Sequence, residues 1–335
     1  MPVVKIGTRG SALALAQAHE VKAALERLAA TDSAIVVIKT SGDDASIDVM
    51  APASGGGTTR PGSGTDVKGI FVKELEEALL DGRIDLAVHS AKDLPTDLPA
   101  GLILGAILAR RDPHDAVATP IRGGQAGRPL ADLAAGARVG ASSLRRQAQV
   151  KRLRKDLEVL PIRGNVDTRL RKLDEGQYDA IILAACGLER LGLGARITQR
   201  LTSAQMLPAP GQGALAVEIR ADRPELAAVC AALDDARTRF AVTAERALLR
   251  SLGGGCQVPI AALGTIDDLG NLTLEGAVFT PDGQRVIRQS LSGAQESAER
   301  LGITLASHLR ANGADRLLFG QKAQAWQRPA APSIS

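Results

Sequence analysis

Aromatic side chains are nearly missing: one Trp, one Tyr and four Phe make up 2% of 335 residues. Cores must therefore be built from Ala, Leu, Val and Ile. Few flat rings are left for bases to stack on, which weighs against single-stranded nucleic-acid binding. Acidic residues interspersed along the chain weigh against an RNA-binding role more generally. Cysteine is just as sparse. Cys186, Cys230 and Cys256 form no CxxC pair and no metal-ligand spacing, so no metal site is expected. An odd, small number of thiols suits a reducing compartment. No basic stretch followed by an apolar one opens the chain, and no apolar run approaches the roughly 20 residues that span a bilayer. A GxxxxGK[ST] phosphate loop is also lacking, and GGGCQVP has neither the lysine nor the hydroxyl for one. These gaps describe a soluble cytoplasmic protein with no membrane or nucleic-acid partner. No long exposed apolar helix face argues for assembly, so a monomer is expected.

What is present is arginine. Of 41 basic residues ten are lysines and 31 arginines, within a net charge of +4. A guanidinium offers a planar fork of donors that matches carboxylate or phosphate, which an ammonium does not. A GC-rich genome would favour arginine codons too, so the positions of these residues have to decide. The length calls for two or three domains.

From residue 3 to about 108 the pattern is strand, helix, strand. VVKIGT is short and β-rich. SALALAQAHEVKAALERLAA follows with Val21, Leu25 and Leu28 at helical spacing and Ser11 at the N-cap. AIVVIKTSGD reads as the next strand, and residues 51–66 as a mobile Gly-rich surface loop. FVKELEEALLDG is a helix with Phe71, Leu75 and Leu79 on one face and Gly82 ending it. IDLAVHSAKDLP is a buried strand running into a loop with His89, Ser90, Lys92 and Asp93.

The same grammar recurs over 114–207, with ARVG, LEVLPI and YDAIILAA as strands. ASSLRRQAQVKRLRKD, capped by Ser142 or Ser143, and RGNVDTRLRKLDEG supply the helices. Alternation of this kind predicts parallel sheets flanked by helices, with ligands bound outside the carboxyl ends of the strands. After LPAPGQGALAVEIR the pattern becomes one helix (RTRFAVTAERALLRSL), three antiparallel strands and a closing helix. This is a small α+β domain with helices on one face of a sheet. The tail beyond about 325 reads as disordered. Boundaries are expected at 1–108 plus 214–231, 114–207 and 236–325. The fold class is α/β, two doubly wound lobes plus a smaller C-terminal α+β domain.

Three strand-to-helix junctions share one design: Arg9-Gly10-Ser11, Ser142-Ser143-Leu144-Arg145-Arg146, and Arg163-Gly164-Asn165 with Arg169 further on. Each sets a capping group and an arginine at a helix N-terminus, where free N–H groups already favour an anion. Any one of them is explained by an ordinary cap and a solvated charge. Three at the same face of two similar domains describe a cleft for something with several negative groups. Without a phosphate loop, carboxylates fit better than phosphates. Asp93 can stabilise a developing cation or relay protons, or simply pair with Lys92. Cys186 and Cys230 sit in apolar runs and read as core residues. Cys256 follows three glycines on an open loop; with no histidine beside it, a stable tether is the better reading than a nucleophile.

The stretches KIGTRGSALALAQA, KGIFVKELEEALLDGRIDLAVHSAKDLPT, RDPHDA, GASSLRRQAQ, IRGNVDTRL, DAIILAACGLERLGL, LPAPGQGALAVEIR and AERALLRSLGGGCQVPIAA together resemble the hydroxymethylbilane synthase (porphobilinogen deaminase) family. They run in that family's order and cover most of residues 3–262. The resemblance implies two lobes like those of periplasmic binding proteins, with the chain crossing back near 208–214, and a third domain. It implies a dipyrromethane cofactor held by thioether on Cys256. Four porphobilinogen units are then added, each losing ammonia, and the linear tetrapyrrole is released by hydrolysis. Asp93 takes the family's catalytic place, stabilising the azafulvene-like cation and the pyrrole nitrogens. Cofactor contacts fall on Lys92, Asp93, Ser142, Ser143, Arg145, Arg146, Arg163 and Gly164. Substrate contacts fall on Arg9, Ser11, Lys68, Phe71, Arg163, Arg169 and Arg190, with Phe71 near the pyrrole. The loop at 51–66 takes the place of the family's lid, but is longer and has no lysine around Gly64. The rival reading is a non-enzymatic carboxylate-binding protein of the same two-lobed shape.

Overall fold

A computed structural model describes residues 3–39, 69–121, 127–254 and 258–319, with nothing said of the side chains of 69–71. The expectations for the loop 51–66, Lys68, the Phe71 ring, Cys256 and the tail lie outside the described residues.

The first lobe is built from β1 (Val4–Thr8), α1 (Ala12–Ala29), β2 (Ser33–Val37), α2 (Gly69–Leu80), β3 (Leu86–Ser90) and β4 (Leu102–Ile107). The second comprises β5 (Asp115–Ala118), β6 (Arg138–Gly140), α3 (Leu144–Leu153), β7 (Glu158–Leu160), α4 (Val166–Asp174), β8 (Ala180–Ala184), α5 (Ala185–Arg190) and β9 (Gln199–Arg200). The chain then returns to the first lobe through β10 (Leu215–Arg220) and α6 (Pro224–Ala231). It ends with α7 (Ala236–Ser251), the strands β11 (Ile260–Ile266), β12 (Asn271–Phe279) and β13 (Val286–Ala294), and the helices α8 (Ala298–Ala311) and α9 (Ala314–Phe319).

The two lobes have sheets of one design, ordered β2-β1-β3-β10-β4 and β7-β6-β8-β5-β9. Three parallel strands are followed in each by one antiparallel strand, β10 or β5, that connects directly to the crossing between lobes. All-parallel sheets were the sequence expectation, and this corrects it. A strand that arrives from the neighbouring lobe enters from the opposite end of the sheet and must run against its neighbours. The stretch 102–118 holds two strands, β4 and β5, that periodicity does not reveal, because its apolar run carries no alternation. Helix α6 was missed for the same reason: its run of Ala and Val has no marked face.

Local chemistry sets the ends of the helices that matter. Ser11 Oγ accepts from the Ala14 N–H at 3.3 Å and caps α1. Ser143, rather than Ser142, caps α3 by accepting from the Arg146 N–H at 3.3 Å. Such caps are worth about 1 kcal/mol each. The buried face of α1 runs through Ala18, Val21 and Leu25, whereas Leu28, in the last turn of the helix, is 51% exposed.

The third domain is a three-stranded antiparallel sheet. Leu272, Leu274 and Val278 of β12 point to α7 and α8. The alternate residues Ala277 and Phe279 point the other way, to Ala148 of α3 and Leu207. With a side-chain period of two, one strand thus packs against its own helices and against the second lobe.

Candidate active site

Where the loops of both lobes face each other lies a cavity of about 360 Å³, a size that suits a small ligand. Its walls come from the strand ends and helix starts singled out in the sequence. Arg9 and Ser11 enter from the β1–α1 junction, and Ser142, Ser143, Arg145 and Arg146 from β6–α3. Gly164 and Arg169 enter from β7–α4, Lys92 and Asp93 from the end of β3, and Arg190 from α5. Arg163, at the same junction as Gly164, is exposed and does not line the cavity.

Lys92 and Asp93 sit on a single 3₁₀ turn, Ala91–Asp93, directly after β3, while His89 and Ser90 belong to the strand itself rather than to a loop. Gly211 presses against this turn. Its φ is +74°, and a Cβ there would stand 2.9 Å from the Ala91 carbonyl carbon and the Lys92 nitrogen. Only glycine tolerates both the conformation and the approach. The crossing segment 208–214 therefore fixes the turn that carries Asp93.

The arginines are not loose. Arg145 donates from Nη1 to Asp115 Oδ2 at 2.7 Å and to the Leu207 carbonyl at 2.8 Å. Arg146 donates from Nε and Nη2 to Asp115 Oδ1 at 3.0 and 2.7 Å. Asp115 is fully buried. Burial alone would raise its pKa, but the two guanidiniums outweigh it and hold the carboxyl well below the usual carboxylate range. One buried negative charge thus fixes two positive ones at the cavity wall, leaving the trio cationic. Gln212 closes the network, donating to Asp115 at 3.0 Å and to the Pro113 carbonyl at 2.7 Å.

Arg169 donates to the Gly164 carbonyl at 2.7 Å and to Ser142 Oγ at 2.9 Å. Desolvation, then Arg146, push its pKa down to about 10, still cationic at neutral pH. Lys92 is pushed below its ordinary value, first by burial, against the opposing pull of Asp93. Arg190 of the second lobe reaches across to Glu20 on α1 at 3.0 Å and to the Gly213 carbonyl at 3.1 Å, so it ties the lobes together. Cys230 is fully buried and its thiol is pushed up to about 12 by desolvation, as a core residue should be. Cys186 is buried as well, at the cavity wall.

Sequence reasoning gave no role to Asp115, Gln212 or Glu20. Asp115 and Gln212 lie inside quoted stretches, RDPHDA and PGQG, yet a partner 30 or 97 residues away leaves no local trace. Among the described residues no group of His, Cys, Asp and Glu is placed to hold a metal ion.

The fold and the cleft define a class: a two-lobed α/β protein with a smaller third domain and a cationic inter-lobe site carrying one exposed carboxylate. Residues 4–228 match the family model for porphobilinogen deaminase, dipyromethane cofactor binding domain, and residues 239–311 that for its C-terminal domain. The chain is 47% identical to a porphobilinogen deaminase of Syntrophobacter fumaroxidans, over 94% of this chain and 97% of that one. It is 49% identical to one of Desulforudis audaxviator, over 96% and 99%. A periplasmic substrate-binding protein of an ABC transporter from Coxiella burnetii is similar at 14% identity and a TM-score of 0.40, over 69% of this chain and 92% of that one. The chain belongs to the porphobilinogen deaminase family, and the rival reading as a non-enzymatic carboxylate binder is not favoured.

Proposed function

We propose that the protein joins four porphobilinogen molecules, each with loss of ammonia, into hydroxymethylbilane. The primer is a dipyrromethane attached through Cys256, and the pathway is tetrapyrrole biosynthesis. The observation that carries this reading is the convergence of Arg9, Lys92, Arg145, Arg146, Arg169 and Arg190 from both lobes on one cavity beside Asp93. Porphobilinogen carries an acetate and a propionate, so a growing chain is a polyanion, and guanidinium forks match its carboxylates.

The same donor set fits the cofactor, whose side chains are likewise carboxylates. Lys92, Ser142, Ser143, Arg145, Arg146 and Gly164 would hold it, and Arg9, Ser11, Lys68, Phe71, Arg169 and Arg190 would hold incoming substrate. When bound, the cofactor supplies the pyrrole carbon to which the first unit is joined. Asp93, exposed on its turn, offers a carboxylate to the cation left when porphobilinogen loses ammonia. In a cavity lined with positive charge such a partner is what a cation would otherwise lack. Asp115 keeps Arg145 and Arg146 in place, so their donors need no reorganisation as the chain grows. The reading includes a cytoplasmic location, supported by the sparse cysteines, and a monomer with no nucleic acid or membrane partner.

Intact-protein mass tests it. The protein from a cofactor-competent host should exceed its sequence mass by one dipyrromethane, and Cys256→Ser should lose the excess. An unmodified mass for the unaltered protein would overturn the proposal.

A further inference from the structure

Behind the cavity wall, in the first lobe, lies a group of ionisable side chains that the reading above does not use. Glu218 of β10 is fully buried. Its Oε2 is 3.0 Å from His89 Nε2, and its Oε1 has no hydrogen-bond partner among the described residues. A buried carboxylate with one oxygen unpaired is destabilising, so a packing role alone is a poor reason for it. His89, on β3, is 6% exposed and lines the cavity. Among the described residues, Glu218 is the only hydrogen-bonding partner of its ring.

An imidazole held in this way has a fixed tautomer. Nε2 keeps its hydrogen and donates it to the carboxylate, which leaves the Nδ1 lone pair to accept a proton. The surrounding charges agree. Glu76 of α2 is pushed up to about 7, first by burial and then by Glu218, so below that pH it is largely protonated and adds no charge of its own beside the pair. Arg246 of α7 lies close enough to Glu218 to feel its charge. Lys92 and Asp93 follow His89 on the same segment.

Resting on the proposed function, we propose that His89, oriented by Glu218, is a further catalytic base of the cleft, distinct from Asp93. It accepts the proton set free as each new carbon–carbon bond forms. Every addition breaks the substrate's C–N bond, ammonia leaving with the electron pair, and forms a C–C bond with the electron pair of a pyrrole α-carbon. The C–H bond at that carbon then breaks, its electron pair returns to the ring, and its proton passes to His89 Nδ1. From there the proton goes to water and on to ammonia. Asp93 balances positive charge while His89 takes the proton.

The test reads the ring directly. With four histidines in the chain, ¹⁵N-resolved imidazole spectra can be assigned by loss of one signal in His89→Gln. At about pH 8 the unaltered protein should show His89 protonated at Nε2 and bare at Nδ1, a preference that Glu218→Gln abolishes. In turnover, His89→Gln should lower kcat about 100-fold and remove the acid limb of the kcat–pH profile, with bound-cofactor mass unchanged and KM within about threefold. A proton on Nδ1 in the unaltered protein, or His89→Gln with full kcat and an intact acid limb, would overturn the inference. An unaltered protein that does not consume porphobilinogen would instead sink the proposed function, and the tautomer measurement would still stand by itself.

Discussion

The two lobes share a strand order, and in each the fourth strand, antiparallel to its neighbours, buries one carboxylate completely: Glu218 on β10 and Asp115 on β5. Their surroundings differ. Asp115 meets two guanidiniums and is driven far into its ionised form. Glu218 meets an imidazole and a second carboxyl, Glu76, whose proton is retained up to about pH 7. The corresponding strand thus fixes cations in one lobe and orients a proton-accepting ring in the other, from different registers: Asp115 stands opposite Ala184 at the end of β8, and Glu218 opposite Ala87 near the start of β3. Topology sets where a charge is buried, and the side chains facing it set what that charge does.

That contrast can be broken at its ends. The largest effect is expected for Asp93→Ala. It should keep the cofactor mass but lose about 100-fold or more in turnover, since a preorganised charge partner is removed from the cleft; a wild-type rate would remove Asp93 from catalysis. Next comes Asp115→Ala, which strands two buried guanidiniums. Unfolding in denaturant should show a loss of about 3–5 kcal/mol. The pH dependence has a definite sign. Because the folded pKa of Asp115 is depressed, its contribution is present above the unfolded value near 4 and lost as pH falls below it. The variant should therefore lack part of the wild-type acid sensitivity in that window. The smallest effect is expected for Glu76→Gln, in the opposite sense. A carboxyl raised from 4.5 to about 7 costs the folded state stability as pH rises through that interval. Thermal melts of the variant should lack this slope, and an unchanged slope would place the proton elsewhere.

Much of this was legible in the chain. Ser11 and the arginine-bearing junctions are local features: a cap, a glycine and a helix start lie within a few residues, and all three junctions do come to one cavity. The buried run of β8 was plain as well. The mixed sheets were not, because β10 and β5 look like any apolar strand until their neighbours are known. Nor was the company kept by the arginines. Arg145 and Arg146 read as free anion receptors, yet both hold Asp115, and Arg190 holds Glu20 across the lobes. Arg163, read as a contact for both cofactor and substrate, stands outside the cavity wall.

The sequence by itself determined most of the elements, the repeated two-lobe grammar and the family, because periodicity, caps and motif spacing are properties of neighbours along the chain. Only the tertiary structure decided which charges are paired. An ion pair or a carboxylate–imidazole contact joins residues 30 to 170 positions apart, and its strength depends on burial that the finished fold alone creates. His89 shows the division. In the sequence it is one more residue of a strand end, and beside Glu218 it becomes a ring with a fixed tautomer at the wall of the cleft.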